Sequence, residues 1–195
     1  KGLGDNPDAV YFSADIDPQH NYKIKGNTAN AVYTSITIEG GALDGSYAEG
    51  VVAAINNTEF DVDAAGNFEL TLGPSQQGRN TLALPSSSAR ITTRHYFEEV
   101  INVAADLGRP IPMTIECIDD LPPPASPDDD SIAEGMQRVI KHVKSRTLEH
   151  LKREQAPQPN WVSRVPNHFN APEKPGNMAF SAVDNAYSMA PYVLK

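Results

Sequence analysis

The chain has 195 residues, 39% of them hydrophobic and 21% charged, enough for one sizeable core and too apolar for a disordered segment. Net charge is −9 and lies in the first part: residues 1–120 carry 7 Lys and Arg against 17 Asp and Glu, a balance of −10, while 121–195 carry 9 against 8, a balance of +1. Such acidity excludes non-specific nucleic-acid binding, which needs Lys and Arg to neutralise phosphate. The single cysteine, Cys117, excludes an internal disulfide framework, and no stretch approaches the roughly 20 apolar residues of a membrane span.

The first element is announced by a polar turn, Gly4-Asp5-Asn6-Pro7-Asp8, followed by an alternating run. Val10, Phe12, Ala14 and Ile16 fall on one side of that run and Tyr11, Ser13 and Asp15 on the other, the period of a half-buried strand. Asp17-Pro18 ends it. A short strand follows at 22–26, then a longer one over 31–39 with Val32, Thr34, Ile36 and Ile38 inward. Residues 50–55 read as a further strand. Segments 60–63 and 68–72 read as a hairpin about Gly66-Asn67. Asp61 and Asp63 have the spacing of half a calcium loop, but the later Glu ligand is missing.

Strands are also expected at 81–84 and 89–97. In the second, Thr92, Arg94 and Tyr96 share a face. A mid-strand arginine is either an edge or surface residue, or a fixed guanidinium fork facing an anion, Asp5 and Asp8 being candidate partners. Residues 98–107 carry a helical spacing of apolar residues, stopped by Gly108 and Pro110. A strand over 112–118 places Cys117 as a buried structural thiol.

The run Leu121-Pro122-Pro123-Pro124 reads as a stiff spacer over 121–130. Ser131 and Glu134 then suit a capping box, with Asp128, Asp129 and Asp130 favouring the positive end of a helix. From 131 to about 153, Ile132, Met136, Val139, Ile140, Val143, Leu148 and Leu151 form one apolar stripe, and Arg138, Lys141, Lys144 and Arg146 cover the rest. His142 and His150, eight apart, do not make a metal pair at i, i+4. This helix can dock on the acidic strands, on a partner or on a membrane surface; docking on the strands is the simplest. The remaining tail is rich in Pro and Asn and holds Trp161, which such a segment should pin to a core or a neighbouring subunit.

The expected fold is therefore mainly β with helical additions. It is an antiparallel β-sandwich over 1–120, a proline-rich linker over 121–130, and an amphipathic helix with a loop-rich tail over 131–195. No nucleophile elbow, phosphate loop, dinucleotide fingerprint or paired-cysteine motif occurs, so the sequence names no cofactor and no metal site. The start at Lys1 and the strand-like run 190–195 suggest a piece of a longer protein. Nothing sets the compartment: the cytoplasm is favoured, and the periplasm stays open if a leader was removed.

Several stretches resemble the bacterial family called domain of unknown function 1214. They are Gly4 to Asp8, Tyr22-Lys23-Ile24-Lys25-Gly26, Phe60-Asp61-Val62-Asp63, Gly66-Asn67-Phe68-Glu69-Leu70, Gly78 to Leu84, Thr93-Arg94-His95-Tyr96-Phe97, the segment around Trp161, and Val183-Asp184-Asn185-Ala186-Tyr187. Thr81 departs from a pattern that favours Trp there. The resemblance implies a jelly-roll-like sandwich in relatives that assemble as oligomers. It implies parts on either side that this chain lacks, and a distant link to catabolism of hydrophobic compounds such as steroids. It brings no catalytic residues.

Two functions follow as expectations. The first is a binding or assembly module that forms a homo-oligomer or packs on other segments of a parent chain. The alternative is a hydrolase or lyase for a small hydrophobic substrate, its site lined by Asp5, Asn6, Asp8, Arg94 and Tyr96.

Overall fold

The computed structural model describes residues 6–103, 106, 108–123, 125–149 and 158–194. Among these, eight strands form two four-stranded sheets. The strands are β1 (Ala9–Asp15), β2 (Tyr22–Asn27), β3 (Tyr33–Gly40), β4 (Gly50–Asn56), β5 (Asn67–Gly73), β6 (Thr81–Ala83), β7 (Ser88–Tyr96) and β8 (Met113–Cys117). The first sheet has the order β1-β7-β3-β4 and the second β6-β5-β2-β8. The chain crosses between sheets at most connections, staying in one sheet only from β3 to β4 and from β5 to β6, which gives the jelly-roll-like interleaving. Pairing is antiparallel apart from the short parallel pair of β5 and β6.

The alternating pattern places the core between the sheets. Ile36 and Ile38 of β3, Ile91 of β7 and Ile55 of β4 meet Ile24 of β2 and Phe68, Leu70 and Leu72 of β5, with Ile16, Phe60 and Leu84 closing the ends. Burying side chains of this size contributes about 1.5–3 kcal/mol each.

Four local expectations are corrected. Residues 60–63 do not form a strand: Phe60 is buried, but Asp63 accepts from the backbone of Ala65 and Asn67, and Asp61 is held by Arg79 and Asn80. Those side-chain bonds compete with a ladder, and β5 pairs with β2 and β6 instead. Residues 98–102 form no helix, because their apolar spacing has no facing surface. Val100 and Ile101 are exposed, and Glu99 closes the loop on Arg109 (2.6 Å), whose guanidinium lies 4.7 Å from the Phe97 ring. Residues 104, 105 and 107 of that expected helix lie outside the described set. Cys117 is exposed, at the end of the edge strand β8. Residues 190–194 form no strand; Asn167 ties them down by accepting from the Val193 amide and donating to its carbonyl.

Helix α1 (Asp129–Lys144) continues as one π-helical turn, Ser145–Glu149, and the expected extension to 153 lies outside the described residues. Its cap falls three residues earlier than expected. Asp128 is the N-cap and accepts from the Ser131 amide (2.9 Å), while Ser131 receives the Asp128 amide (2.9 Å). Aspartate outcompetes the later Ser131 for this role because a carboxylate at the N-cap also meets the positive end of the helix. Among the described residues, no helix is long and apolar enough to cross a membrane.

Candidate functional site

The outer face of the first sheet, turned away from the core, carries the polar side chains. Register fixes their order: Arg94 of β7 stands between Tyr11 of β1 and Ser35 of β3, and Tyr96 stands between Ala9 and Tyr33. Glu39 lies further along β3 on the same face, with Thr37 between it and Ser35. The face is not open to solvent. Residues 178–187 of the tail cross it, burying Ala179, Ser181 and Ala182.

Arg94 is therefore neither a surface nor an edge residue. It is 2% exposed in a central strand, and its guanidinium leans along β3. One nitrogen donates to Thr37 Oγ1 at 2.6 Å and another lies 3.9 Å from Glu39 Oε1. Glu39 is 0% exposed and accepts from the Phe180 amide at 3.0 Å. Burial pushes its carboxyl above the ordinary carboxylate range; the Phe180 amide and then Arg94 oppose that shift. Phe180 holds a positive φ of 61°, costly for an aromatic residue, and this bend aims its amide at Glu39.

Beside this pair lies an aromatic row. Tyr96 stacks on Tyr33 (5.3 Å, 21°) and meets Tyr11 edge-on (6.5 Å). Tyr33 donates to Asp184 of the tail (2.6 and 2.7 Å), and Asn56 donates to the same carboxylate (3.0 Å). Burial raises the hydroxyl pKa of both Tyr33 and Tyr96, so both remain neutral donors.

The other candidate residues fall elsewhere. Asn6 Oδ1 accepts from the Asp8 amide (3.0 Å), a local turn, and the Asp8 carbonyl accepts from the Phe97 amide. Asp8 is exposed and precedes the Arg94 partner Tyr11 by three residues, roughly 10 Å along the strand. Asp5 lies outside the described residues. Thus Arg94 and Tyr96 share a face, and the anion that meets Arg94 is Glu39. Glu39, Thr37, Tyr33 and Asp184 were not singled out from the sequence. Their signal was a lone carboxylate among small hydroxyl residues on β3, on the same period as a mid-strand arginine.

Chemically, Glu39 with a raised pKa beside a guanidinium can hold a proton. Among the described residues, clefts open beside α1 at Leu43 and Lys141, in the tail around His168, and between the sheets at Phe12 and Met113. Arg94 and Glu39 line none of these three.

Helix α1 presents a second surface. It is held by one flank only. Lys141 pairs with Asp44, Ser145 and the Arg138 carbonyl face Gly45, and the guanidinium of Arg146 lies 4.5 Å from the Tyr47 ring and 5.7 Å from that of Phe180. Gly45 has φ +93°, and a Cβ there would stand 2.1 Å from the Arg138 carbonyl oxygen, so only glycine permits this approach. At 3.6 residues per turn, Ile132, Met136, Val139 and Val143 lie about 100–180° around the helix from Arg138, Lys141 and Ser145. Their side and the flanking Ile140 are 46–63% exposed, and no residue of α1 is buried. The expected docking of this stripe on the strands does not occur.

No family model and no curated protein matches the chain. Among solved structures, an uncharacterised protein from Burkholderia cenocepacia is similar, with a TM-score of 0.59 at 20% identity over 73% of this chain and 38% of that one. A protein from Vibrio parahaemolyticus gives a TM-score of 0.40 at 18% identity, over 57% of this chain and 31% of that one. The Burkholderia likeness is one of fold alone. The chain spans 38% of the length of that protein.

Proposed function

We propose that this chain is an assembly module: a β-sandwich that pairs with a second copy of itself through α1. The observation that carries the reading is the apolar stripe of α1, 46–63% exposed on a helix with no buried residue. Ile132, Met136, Val139 and Val143 are spaced four, three and four, the seam of a coiled coil rather than a scatter of surface residues.

Charge argues for the occupant. The first turn of α1 is acidic (Asp129, Asp130) and the last is basic (Lys141, His142, Lys144). Two copies laid antiparallel set acid against base at both ends. In that arrangement Ile132 faces Val143 and Met136 faces Val139, so the seam is complementary to itself. The resemblance to the family of unknown function 1214, which implies relatives that can assemble as oligomers, agrees with this reading.

A hydrolase or lyase acting through a carboxylate and Arg94 needs solvent to reach those groups, and residues 178–187 cover them. Assembly is therefore the reading we pursue. Light scattering coupled to size exclusion, across a concentration series, tests it. A mass twice that of the chain, falling to the monomer on dilution, is expected, and a monomer at every concentration overturns it.

A further inference from the structure

Among the described residues, one group of metal-ligating side chains is gathered by the fold outside the covered face. β2 and β8 are neighbours, with Tyr22 opposite Cys117. That pairing brings the turn before β2 against the end of β8. His20, Cys117 and Asp119 each offer one ligand atom, a ring nitrogen, the sulfur and a carboxylate oxygen, and these atoms all lie within 4.8 Å of one another. No spacing in the sequence marks the set, since about a hundred residues separate His20 from the other two.

We propose that His20, Cys117 and Asp119 bind one divalent transition ion of the zinc class, with the fourth position open to water or an exogenous ligand. The donor set argues for this class. An imidazole, a thiolate and a single carboxylate suit a borderline-soft ion with tetrahedral preference, and not calcium or magnesium, which take oxygen ligands. The geometry is near what such an ion needs. His20 Nδ1 is 3.1 Å from Asp119 Oδ2, and nitrogen and oxygen ligands on one tetrahedral ion sit about 3.4 Å apart. A side-chain adjustment of about an ångström brings the Cys117 sulfur to its place, and Cys117 is exposed and free to make it.

The surroundings are those of a held ligand set. Asn21 grips both oxygens of Asp119, its amide donating to Oδ2 (2.9 Å) and its side chain to Oδ1 (3.0 Å). Gln76 in turn donates to Asn21 Oδ1 (3.1 Å). On the far side of the imidazole, Asp17 Oδ2 lies 4.0 Å from His20 Nε2. Binding replaces the thiol proton of Cys117, which is released to solvent.

Cobalt(II) titration of the reduced full chain tests the site, because cobalt reports its ligands. One equivalent should produce the ligand-field bands of a tetrahedral ion and a sulfur-to-cobalt charge-transfer band, and zinc should abolish both. Cys117→Ser should lose the charge-transfer band. His20→Ala and Asp119→Ala should each weaken binding at least tenfold, and Asn21→Ala, a positioning change, about tenfold. His142→Ala, on the exposed face of α1, should change nothing. Circular dichroism of each variant separates a lost ligand from a lost fold. Saturating cobalt without a charge-transfer band, or Cys117→Ser binding with unaltered spectrum and affinity, overturns the proposal.

Discussion

Arg94 reaches along β3, over Thr37, to come within 3.9 Å of Glu39, so that two opposite charges lie 2% and 0% exposed beneath the tail. The strands alone do not make them neighbours: register places Arg94 opposite Ser35 and Glu39 opposite Arg90. The long arginine side chain makes the connection, and Phe180 seals it by donating to the other oxygen of Glu39.

Removing one member of such a pair leaves the other charge buried and uncompensated, whatever the net worth of the pair. Arg94→Met should therefore cost about 3–5 kcal/mol in urea unfolding at neutral pH. Adding Glu39→Gln, which keeps an acceptor for the Phe180 amide, should recover most of that loss. The pH dependence has a definite sign. The folded pKa of Glu39 is raised, so its protonated form is favoured in the fold; stability is fully present below the ordinary carboxylate pKa and is lost as pH rises through the folded value. The deficit of Arg94→Met should accordingly shrink as the solution is acidified. A loss below about 0.5 kcal/mol, the size of an ordinary surface change, would show the pair to be inert.

His95 gives a second pH effect of opposite sign. It lies on the core side of β7, 0% exposed, opposite Val10 and Thr34 and edge-on to Phe12 (6.0 Å). Neither ring nitrogen makes a well-formed hydrogen bond, and the backbone of Asn27 only partly offsets the burial that lowers its pKa to about 4. Between about pH 6.5 and 4 the unfolded chain takes up a proton that the folded chain refuses, so stability falls as pH falls through that window, by about 3 kcal/mol. His95→Leu should remove that part of the acid limb. Unfolding free energies of wild type and variant at pH 7 and pH 4.5 check it; equal slopes would refute the assignment.

The β pattern was legible because a two-residue period with one buried side needs no knowledge of partners. Of the four residues placed inward on that basis, Thr34, Ile36 and Ile38 are buried, whereas Val32 precedes β3 and is exposed. What the period could not give was the second covering of β3, where Ser35, Thr37 and Glu39 are buried as well, because the cover comes from residues about 140 positions later. The polar alternation that normally marks a solvated face here marks a face roofed by backbone. Helix α1 was equally legible as an amphipathic stripe, but a stripe does not say which surface it meets. Its polar flank found the 44–47 loop, and its apolar side found nothing within the described chain. At 98–102 the same periodicity existed without any partner surface, and no helix formed.

The roof itself is fastened at Asp184, which accepts from Tyr33 and Asn56. This carboxylate is exposed, so the contribution is modest, about 1 kcal/mol. Its effect should be local. Asp184→Ala and Tyr33→Phe should each speed amide hydrogen exchange at Phe180 and Ser181 while leaving β3 and β7 protected. Because both remove the same bond, the double variant should exchange no faster than the faster single one. Additive acceleration would mean that the two residues hold the tail independently.

The antiparallel pairing of α1 predicts which positions meet. With Met136 facing Val139, Ile132 of one copy faces Val143 of the other, and like positions at the helix ends lie far apart: eleven residues at 1.5 Å rise separate Ile132 from Val143 by roughly 16 Å. In a Cys117→Ser background, Ile132→Cys alone should form almost no disulfide on mild oxidation, nor should Val143→Cys alone. A mixture of the two should form the cross-linked pair in high yield. A parallel arrangement reverses this pattern, with each single variant linking to itself. Val139→Glu, which puts two carboxylates into the centre of the seam, should abolish the dimer, whereas Gln137→Glu at its side should leave it intact. Because no residue of α1 is buried within one copy, Val139→Glu should leave the monomer's unfolding midpoint unchanged, which separates loss of assembly from loss of fold.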